Sequence, residues 1–215
     1  PRNTVSTLNL NDGSNLISIT TGKIKVEIDK NTSLMKVIDL EKNTVAFEEV
    51  EPVLFDKGKV TVTLKENPNE YFYGGGVQNG RFSHKGKAIN IVNENSWTDG
   101  GVASPAPFYW STNGYGMMWY TFKKGKYDFG ASEEGKVKLS HESDLFYMVS
   151  DGAVGVLNDF YQLTGNPVLL PKFGFYQGHL NAYNRDYWKE DEKGILFEDG
   201  KRYKESQKDN GGIKE

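Results

Sequence analysis

The 215-residue chain has no cysteine, which rules out disulfides, thiolate metal sites and a cysteine nucleophile. Its three histidines, His84, His141 and His179, lie far apart in sequence without the short spacings of ligand sets, so no metal centre is expected. No run of about 18 apolar residues occurs, so no helical membrane span is expected. A basic excess is missing as well. The 26 Lys and Arg stand against 29 Asp and Glu for a net charge of −3, so no nucleic-acid partner is expected. No leader pattern is visible, and the chain opens on Pro1 rather than Met, as expected if upstream sequence has been removed.

Aromatic residues and glycine are abundant: 12 Tyr, 12 Phe and 4 Trp accompany 24 Gly. That pairing suits strands joined by tight turns. It also suits sugar binding, because rings stack on the apolar faces of pyranoses, although most such aromatics serve core and cross-strand packing.

Period-two alternation dominates the first two-thirds of the chain. Ile24, Val26 and Ile28 alternate with Lys25, Glu27 and Asp29, and Val60, Val62 and Leu64 alternate with Thr61 and Thr63. Further strands are predicted at Leu16–Thr20, Leu34–Leu40, Ala88–Val92, Phe108–Ser111, Gly116–Phe122, Tyr127–Gly130, Lys136–Ser140 and Leu145–Val149. Turn signals such as Asp12-Gly13, Lys57-Gly58, Asn113-Gly114 and Glu134-Gly135 separate them, which predicts an antiparallel β-sandwich.

One amphipathic helix is predicted at Val154–Thr164, carried by Val154, Leu157, Phe160, Tyr161 and Leu163. Asp151 lies near its N-cap, Gly165 stands at C′ and Pro167 follows. The apolar run Val168–Gly178 then reads as a buried strand, and strands buried on both faces belong to parallel sheets. Residues 181–215 hold 8 Lys/Arg and 9 Asp/Glu, the pattern of a solvated loop or insertion. Only Ile195–Tyr203 within it has a hairpin pattern. The expectation is a β-rich domain followed by the first strand of a larger α/β domain, with function divided between this chain and sequence further along.

Two segments could carry chemistry. Tyr73-Gly74-Gly75-Gly76-Val77-Gln78 invites a phosphate-cradle reading, but no Lys-Ser/Thr and no helix pattern follow. Glycines after an aromatic strand instead predict a bend where backbones approach closely. Asn93–Pro107 reads as a long irregular loop with several amides, two carboxylates and Trp97. A planar ring and bidentate amides are what polyol recognition requires, while an Asx-turn connection is the plainer alternative. Glycoside hydrolysis needs two carboxyls facing across the bond, about 5–5.5 Å apart for retention. Asp128, Glu133, Glu134, Asp144 and Asp159 fall in no pocket motif, and Asp128, Glu133 and Glu134 read as solvated residues flanking a hairpin turn. No Ser/His/Asp order with an elbow motif and no dinucleotide fingerprint is present.

Taken in chain order, these segments resemble the N-terminal β-sandwich of glycoside hydrolase family 31. That family shows an aromatic-Gly-x-Gly-x-Gln turn, an Asn-x-Asp loop and a Pro-Phe strand ending in Gly-Tyr-Gly. Here they correspond to Tyr73–Gln78, Asn93-Glu94-Asn95 and Pro107–Gly116. The resemblance continues through Asp159–Pro167 and Leu170–Gln177, which are similar to the linker helix and first barrel strand, and covers roughly residues 15–180.

The resemblance implies a galactose-mutarotase-like supersandwich over 1–150, a linker helix over 151–167 and, over 168–215, the incomplete start of a (β/α)8 barrel with a charged insertion. It implies a retaining α-glycosidase acting on terminal α-linked sugars without a cofactor. The aspartate nucleophile and acid/base lie on later barrel strands and are expected outside this chain. The expected partners are a carbohydrate substrate and that barrel. In the family the Asn-x-Asp loop reaches over the barrel mouth. Asn93 keeps the Asn, while Asn95 stands where the Asp would be, a departure that hints at an α-galactoside or N-acetylhexosaminide rather than an α-glucoside. Asp99 could supply the acid through a loop shift, and Trp97 a stacking face. Tyr176, Gln177 and His179 follow at the C-terminal end of the expected first strand, the end that faces the active site in such barrels. Packing against the sandwich is the alternative for each. Export to the medium or cell surface is expected on the habit of such enzymes, with a cytoplasmic location as the alternative.

Two other functions fit the same residues: a stand-alone carbohydrate-binding module, or an architectural sandwich that touches no ligand. The module requires an exposed aromatic row on one sheet face. The enzyme part requires an apolar patch around Val168–Tyr176 that is uncovered or covered by something other than a barrel.

Overall fold

The computed structural model describes residues 7–78, 82–93, 102–142, 145–149, 152–171 and 188–205. The chain divides into two units, Pro1–Pro167 and Val168–Glu215.

The first unit is an antiparallel sandwich. Its strands are β1 (Asn9–Asp12), β2 (Leu16–Thr20), β3 (Ile24–Asp29), β4 (Met35–Asp39), β5 (Thr44–Asp56), β6 (Lys59–Lys65), β7 (Phe72–Gln78), β8 (Lys87–Ile91), β9 (Val102–Ser111), β10 (Tyr115–Trp119), β11 (Gly125–Phe129), β12 (Lys136–His141) and β13 (Leu145–Val149). A nine-stranded sheet runs β1-β2-β3-β4-β5-β6-β12-β11-β8, and a four-stranded sheet runs β13-β10-β9-β7. Alternation sets the faces: Val137, Leu139 and His141 of β12 point inward while Lys136, Lys138 and Ser140 do not. Between the layers Phe72 stacks on Phe129 at 4.7 Å, and Phe47 meets Tyr115 at 4.9 Å. Each fully buried Phe contributes about 2–3 kcal/mol of burial.

β5 turns the corner of the large sheet. Its first half pairs with β4 and its second half with β6, and the β6 pairing shifts register between Glu49 and Glu51 and again between Glu51 and Leu54. Each shift bends the strand and increases its twist. At the bend Glu49 is buried, and its Oε2 accepts the Met35 N–H at 2.8 Å. Burial raises its pKa, and the Met35 bond only partly opposes this.

The second half of the expected loop Asn93–Pro107 is strand. β9 pairs with β7 from Val102 onward, yet pairs with β10 only over Phe108–Ser111. Over 102–107 it is therefore unpaired on its β10 side, the kind of edge position where prolines such as Pro105 and Pro107 are tolerated. The strand predicted at Gly116–Phe122 stops at Trp119, where the chain turns and Thr121 N–H bonds the Trp119 carbonyl at 2.9 Å.

Every residue of β10 is buried, because both of its faces are covered. Tyr115, Met117 and Trp119 join the main core, while Met118 lies under the helix α1 (Gly152–Thr164) with Phe108 and Val156. Gly116 leaves the space that Val156 fills. Phe160 stacks on Phe108 at 4.2 Å. The packed stripe of α1 is thus the buried Val156 with the partly buried Leu157 and Phe160, whereas Val154 and Leu163, both expected in the stripe, are exposed. The helix ends as expected: Gly165 takes φ +93° and its N–H bonds Tyr161 O at 2.8 Å. Asp151 lies outside the described residues.

In the second unit, Val168–Pro171 carry no regular element and are exposed, and 172–187, with most of the expected barrel strand, lie outside the described residues. The predicted hairpin forms as β14 (Trp188–Leu196) and β15 (Arg202–Glu205), closed by Phe197 N–H to Lys201 O at 2.8 Å.

Candidate functional site

The candidate loop is defined by its two ends. β8, the edge of the large sheet, delivers the chain to Asn93, which is exposed. β9 takes it up at Val102, opposite Gln78 of β7. Asn95, Trp97 and Asp99 lie between these ends and outside the described residues, as do Tyr176, Gln177 and His179. Of the seven residues singled out from the sequence, the structure places Asn93.

The segment beside this loop base is the glycine turn. Gly74, Gly75 and Gly76 all have positive φ (113°, 77° and 81°), and the pairing with β9 shifts register between Gly74 and Gly76. A Cβ on Gly74 would stand 2.7 Å from Phe108 O, and one on Gly76 would overlap the backbone of Ser104, Pro105 and Ala106. Gly75 lies against the Ile89 and Ile91 side chains of β8. Close backbone approach, as expected from the sequence, is what the glycines permit. Two buried side chains hold the bend. Gln78 Nε2 donates to Gly75 O at 2.8 Å, and His84 Nε2 donates to Gly74 O at 2.8 Å.

A clamp that the sequence reading missed fixes the approach to β7. Lys85 Nζ donates to Pro68 O at 2.7 Å, Glu70 O at 2.8 Å and Asn67 O at 3.3 Å, and pairs with Glu66 Oε1 at 3.3 Å. Just inside, Glu70 is fully buried. Its Oε1 accepts Ser111 Oγ at 2.5 Å, and its Oε2 accepts Asn67 N–H at 3.1 Å. Burial raises the Glu70 pKa against the pull of the Ser111, Asn67 and Tyr115 bonds.

Asp128 and Glu133 are also engaged within the fold, and Asp144 lies outside the described residues. Asp128, expected to be solvated, is buried, because its Oδ1 folds over its own turn to accept Ala131 N–H at 2.8 Å and Ser132 N–H at 3.2 Å. Burial alone would raise its pKa, but the bonds from Ser132 and Ala131 and the charge of Lys126 hold it below the usual carboxylate range. Glu133 is tied to Lys136 at 2.7 Å. In the second unit a groove of about 380 Å³ is lined by Glu190, Asp191, Glu192, Lys201 and Arg202, with Glu190 paired to Lys201 at 2.6 Å. These walls are charged and solvated, with no ring to stack a sugar. Among the described residues, Glu49, Glu70 and Asp128 hold the fold and present no open pair of acids.

Residues 1–128 match the family of glycosyl hydrolase 31 N-terminal galactose mutarotase-like domains. An α-xylosidase of Emericella nidulans is 28% identical over 144 residues, 65% of this chain and 18% of its own length. An α-xylosidase of Lactiplantibacillus pentosus is 30% identical over 140 residues, 61% of this chain and 18% of its own. A glycoside hydrolase family 31 dextranase of Flavobacterium johnsoniae superposes with a TM-score of 0.70 at 18% identity, over 77% of this chain and 21% of its own. The chain thus spans about a fifth of the length of the relatives it matches. With its sandwich, glycine turn and Pro-Phe strand in place, the chain belongs to the family of glycosyl hydrolase 31 N-terminal galactose mutarotase-like domains.

Proposed function

We propose that this chain is the non-catalytic N-terminal part of a retaining α-glycosidase that removes terminal α-linked sugars, with the catalytic aspartates on a C-terminal barrel. The family match over residues 1–128 carries this reading. The engagement of Glu49, Glu70 and Asp128 within the fold supports it. The apolar run that would open the barrel also supports it, since Val168 and Leu169 are 84% and 94% exposed and thus available for packing. In this proposal 1–150 form the sandwich, 151–167 the linker and 168–215 the barrel's start. The loop from Asn93 shapes the substrate mouth through Asn95, Trp97 and Asp99, and Tyr176, Gln177 and His179 line the pocket floor. The enzyme works outside the cell or at its surface.

An amide at Asn95 both donates and accepts, which suits an α-galactoside or N-acetylhexosaminide better than a glucoside. The relatives named as xylosidases keep α-xylosides as the competing substrate. The test is turnover of α-linked aryl galactoside, N-acetylgalactosaminide, glucoside and xyloside by this chain beside a version carrying the rest of the enzyme. Only the longer protein is expected to turn over substrate; turnover by this chain alone overturns the proposal. In the longer protein, Asn95→Asp is expected to shift the ratio of kcat/KM toward the glucoside by about tenfold, the effect of one misplaced polar contact. An unchanged ratio removes Asn95 from the substrate mouth.

One observation favours a sugar-binding module as a second reading. Phe82, Tyr73 and Trp110 form a row, and Phe82 is 88% exposed. Yet Tyr73 and Trp110 stack on each other at 4.6 Å, so their facing surfaces are used on one another and not on a sugar. Sugar binding by this chain, lost in Phe82→Ala and unaccompanied by turnover in the longer protein, would favour the module.

A further inference from the structure

At the end of the sandwich where β10, β11 and β12 meet, three side chains with polar atoms are closed in together. Trp119 and Tyr127 are 0% exposed and His141 is 1% exposed. The Trp119 and His141 rings lie 5.3 Å apart, and Tyr127 lies 6.1 Å from His141. Among the described residues, Trp119 Nε1, Tyr127 Oη and both His141 nitrogens have no hydrogen-bond partner. Beneath the imidazole is Gly125, where a Cβ would overlap the ring. The connection 120–124 spans this end and is held to the residue after His141. Thr121 Oγ1 donates to Glu142 O at 3.4 Å, and Lys123 Nζ pairs with Glu142 Oε2 at 3.9 Å.

We propose that this cluster is an acid-released latch, in which protonation of His141 frees the 120–124 connection from the end of β12. An imidazolium here would be a buried cation, costly unless an acceptor or water reaches it. Trp119 Nε1–H only donates, so it cannot help. The elements packed around the ring present few charges. β11 contributes Gly125 and Tyr127, with Lys126 on its other face. β6 contributes Val60, with Lys59 alternating away, and β10 contributes Trp119. The connection and the residue after β12 bring Lys123, Lys124 and Glu142 to this end, and Glu142 is already shared with Lys123. The connection is tied to β10 by Thr121 N–H to Trp119 O at 2.9 Å and to the residue after β12 by the two longer contacts with Glu142, so it is this second tie that yields.

Burial depresses the His141 pKa to about 4, with Glu142 pulling weakly the other way. A depressed histidine gives stability that is complete above its unfolded value of 6.5 and is lost as pH falls toward about 4. Glu49 and Glu70, whose pKa values are raised, act with the opposite sign. Their protonation on acidification favours the folded state, so they cannot mimic the effect.

The test is amide hydrogen exchange of the full chain at pH 7.5 and pH 5, corrected for intrinsic rates. Protection in peptides covering 117–127 is expected to fall roughly 25-fold, the ratio set by titration between about 4 and 6.5. Peptides from β3 and β4 should keep theirs. His141→Phe should abolish the pH dependence at 117–127. Unchanged protection in the wild-type chain, or an equal fall in His141→Phe, overturns the latch. If His141→Phe does not fold, NMR titration of the wild-type imidazole decides. A midpoint below about 5 is expected, and one above about 6 refutes a closed neutral site.

Discussion

Gly76→Ala is expected to destabilise the sandwich by more than about 4 kcal/mol, enough to leave most of the chain unfolded. Two costs add. Gly76 sits at φ +81°, where any L-side chain pays about 1–2 kcal/mol. Its new methyl would also overlap the backbone of Ser104, Pro105 and Ala106, and a paired strand cannot rotate away as a side-chain tip can. Gly58 and Gly135 separate the two costs, having φ +79° and +84° with nothing within 4 Å of where a methyl would stand. Alanine at either should cost about 1–2 kcal/mol, the backbone term alone. Urea midpoints at constant m-value measure all three. A Gly76→Ala loss no larger than that of Gly58→Ala would show that β9 is not held against the glycine turn.

The same turn shows how far the sequence could be read. Strands such as β3, β6 and β12 were legible because apolar residues stand at every second position of the sequence, and in β12 that alternation matches one face on the core and one off it. β5 was not, although it is the longest strand with 13 residues. Its three register shifts, one against β4 and two against β6, reset the phase, so Glu48-Glu49 and Pro52 interrupt any period of two. β1, Asn9–Asp12, is exposed throughout and has no buried face to impose a pattern. β7 was hidden by its glycines, which carry no side chain to alternate. The strand over 102–107 was missed because an edge confined to half of one strand is a tertiary fact, absent from local sequence.

The candidate site was legible in a different way. The loop was found through a family pattern and loop composition, and the structure fixes only its two ends, at Asn93 and Val102. The buried polar groups were illegible, because nothing in a sequence distinguishes a solvated Asp128 from one folded over its own turn. Glu66 and Glu70 are likewise separated from Lys85 by the whole glycine-turn segment, and only the fold brings Lys85 back over Asn67–Glu70.

That return makes Lys85 the second position where a large effect is expected. Lys85→Met should cost about 2 kcal/mol, less than removal of a fully buried charged partner, because the Lys85 side chain is 27% exposed. The methionine fills the space of the stem, so the loss is polar: three carbonyls lose a cationic donor, and the Glu66 side chain, 8% exposed, keeps a charge without its ammonium. Glu66→Gln should cost only about 1 kcal/mol, because Lys85 keeps its three carbonyl bonds. In the double variant the two losses should fall short of their sum by about 1 kcal/mol, since the stranded carboxylate is gone. Lys85→Arg should not restore stability. A planar guanidinium cannot converge on three carbonyls that surround a point charge. Because the Glu66 side chain is 8% exposed, more of the loss should persist in 1 M salt than for the exposed Lys65–Glu48 pair. Urea titrations at low and high salt measure each term. A Lys85→Met loss below about 1 kcal/mol would place the hold on residues 66–71 elsewhere, in the Glu70–Ser111 bond at 2.5 Å.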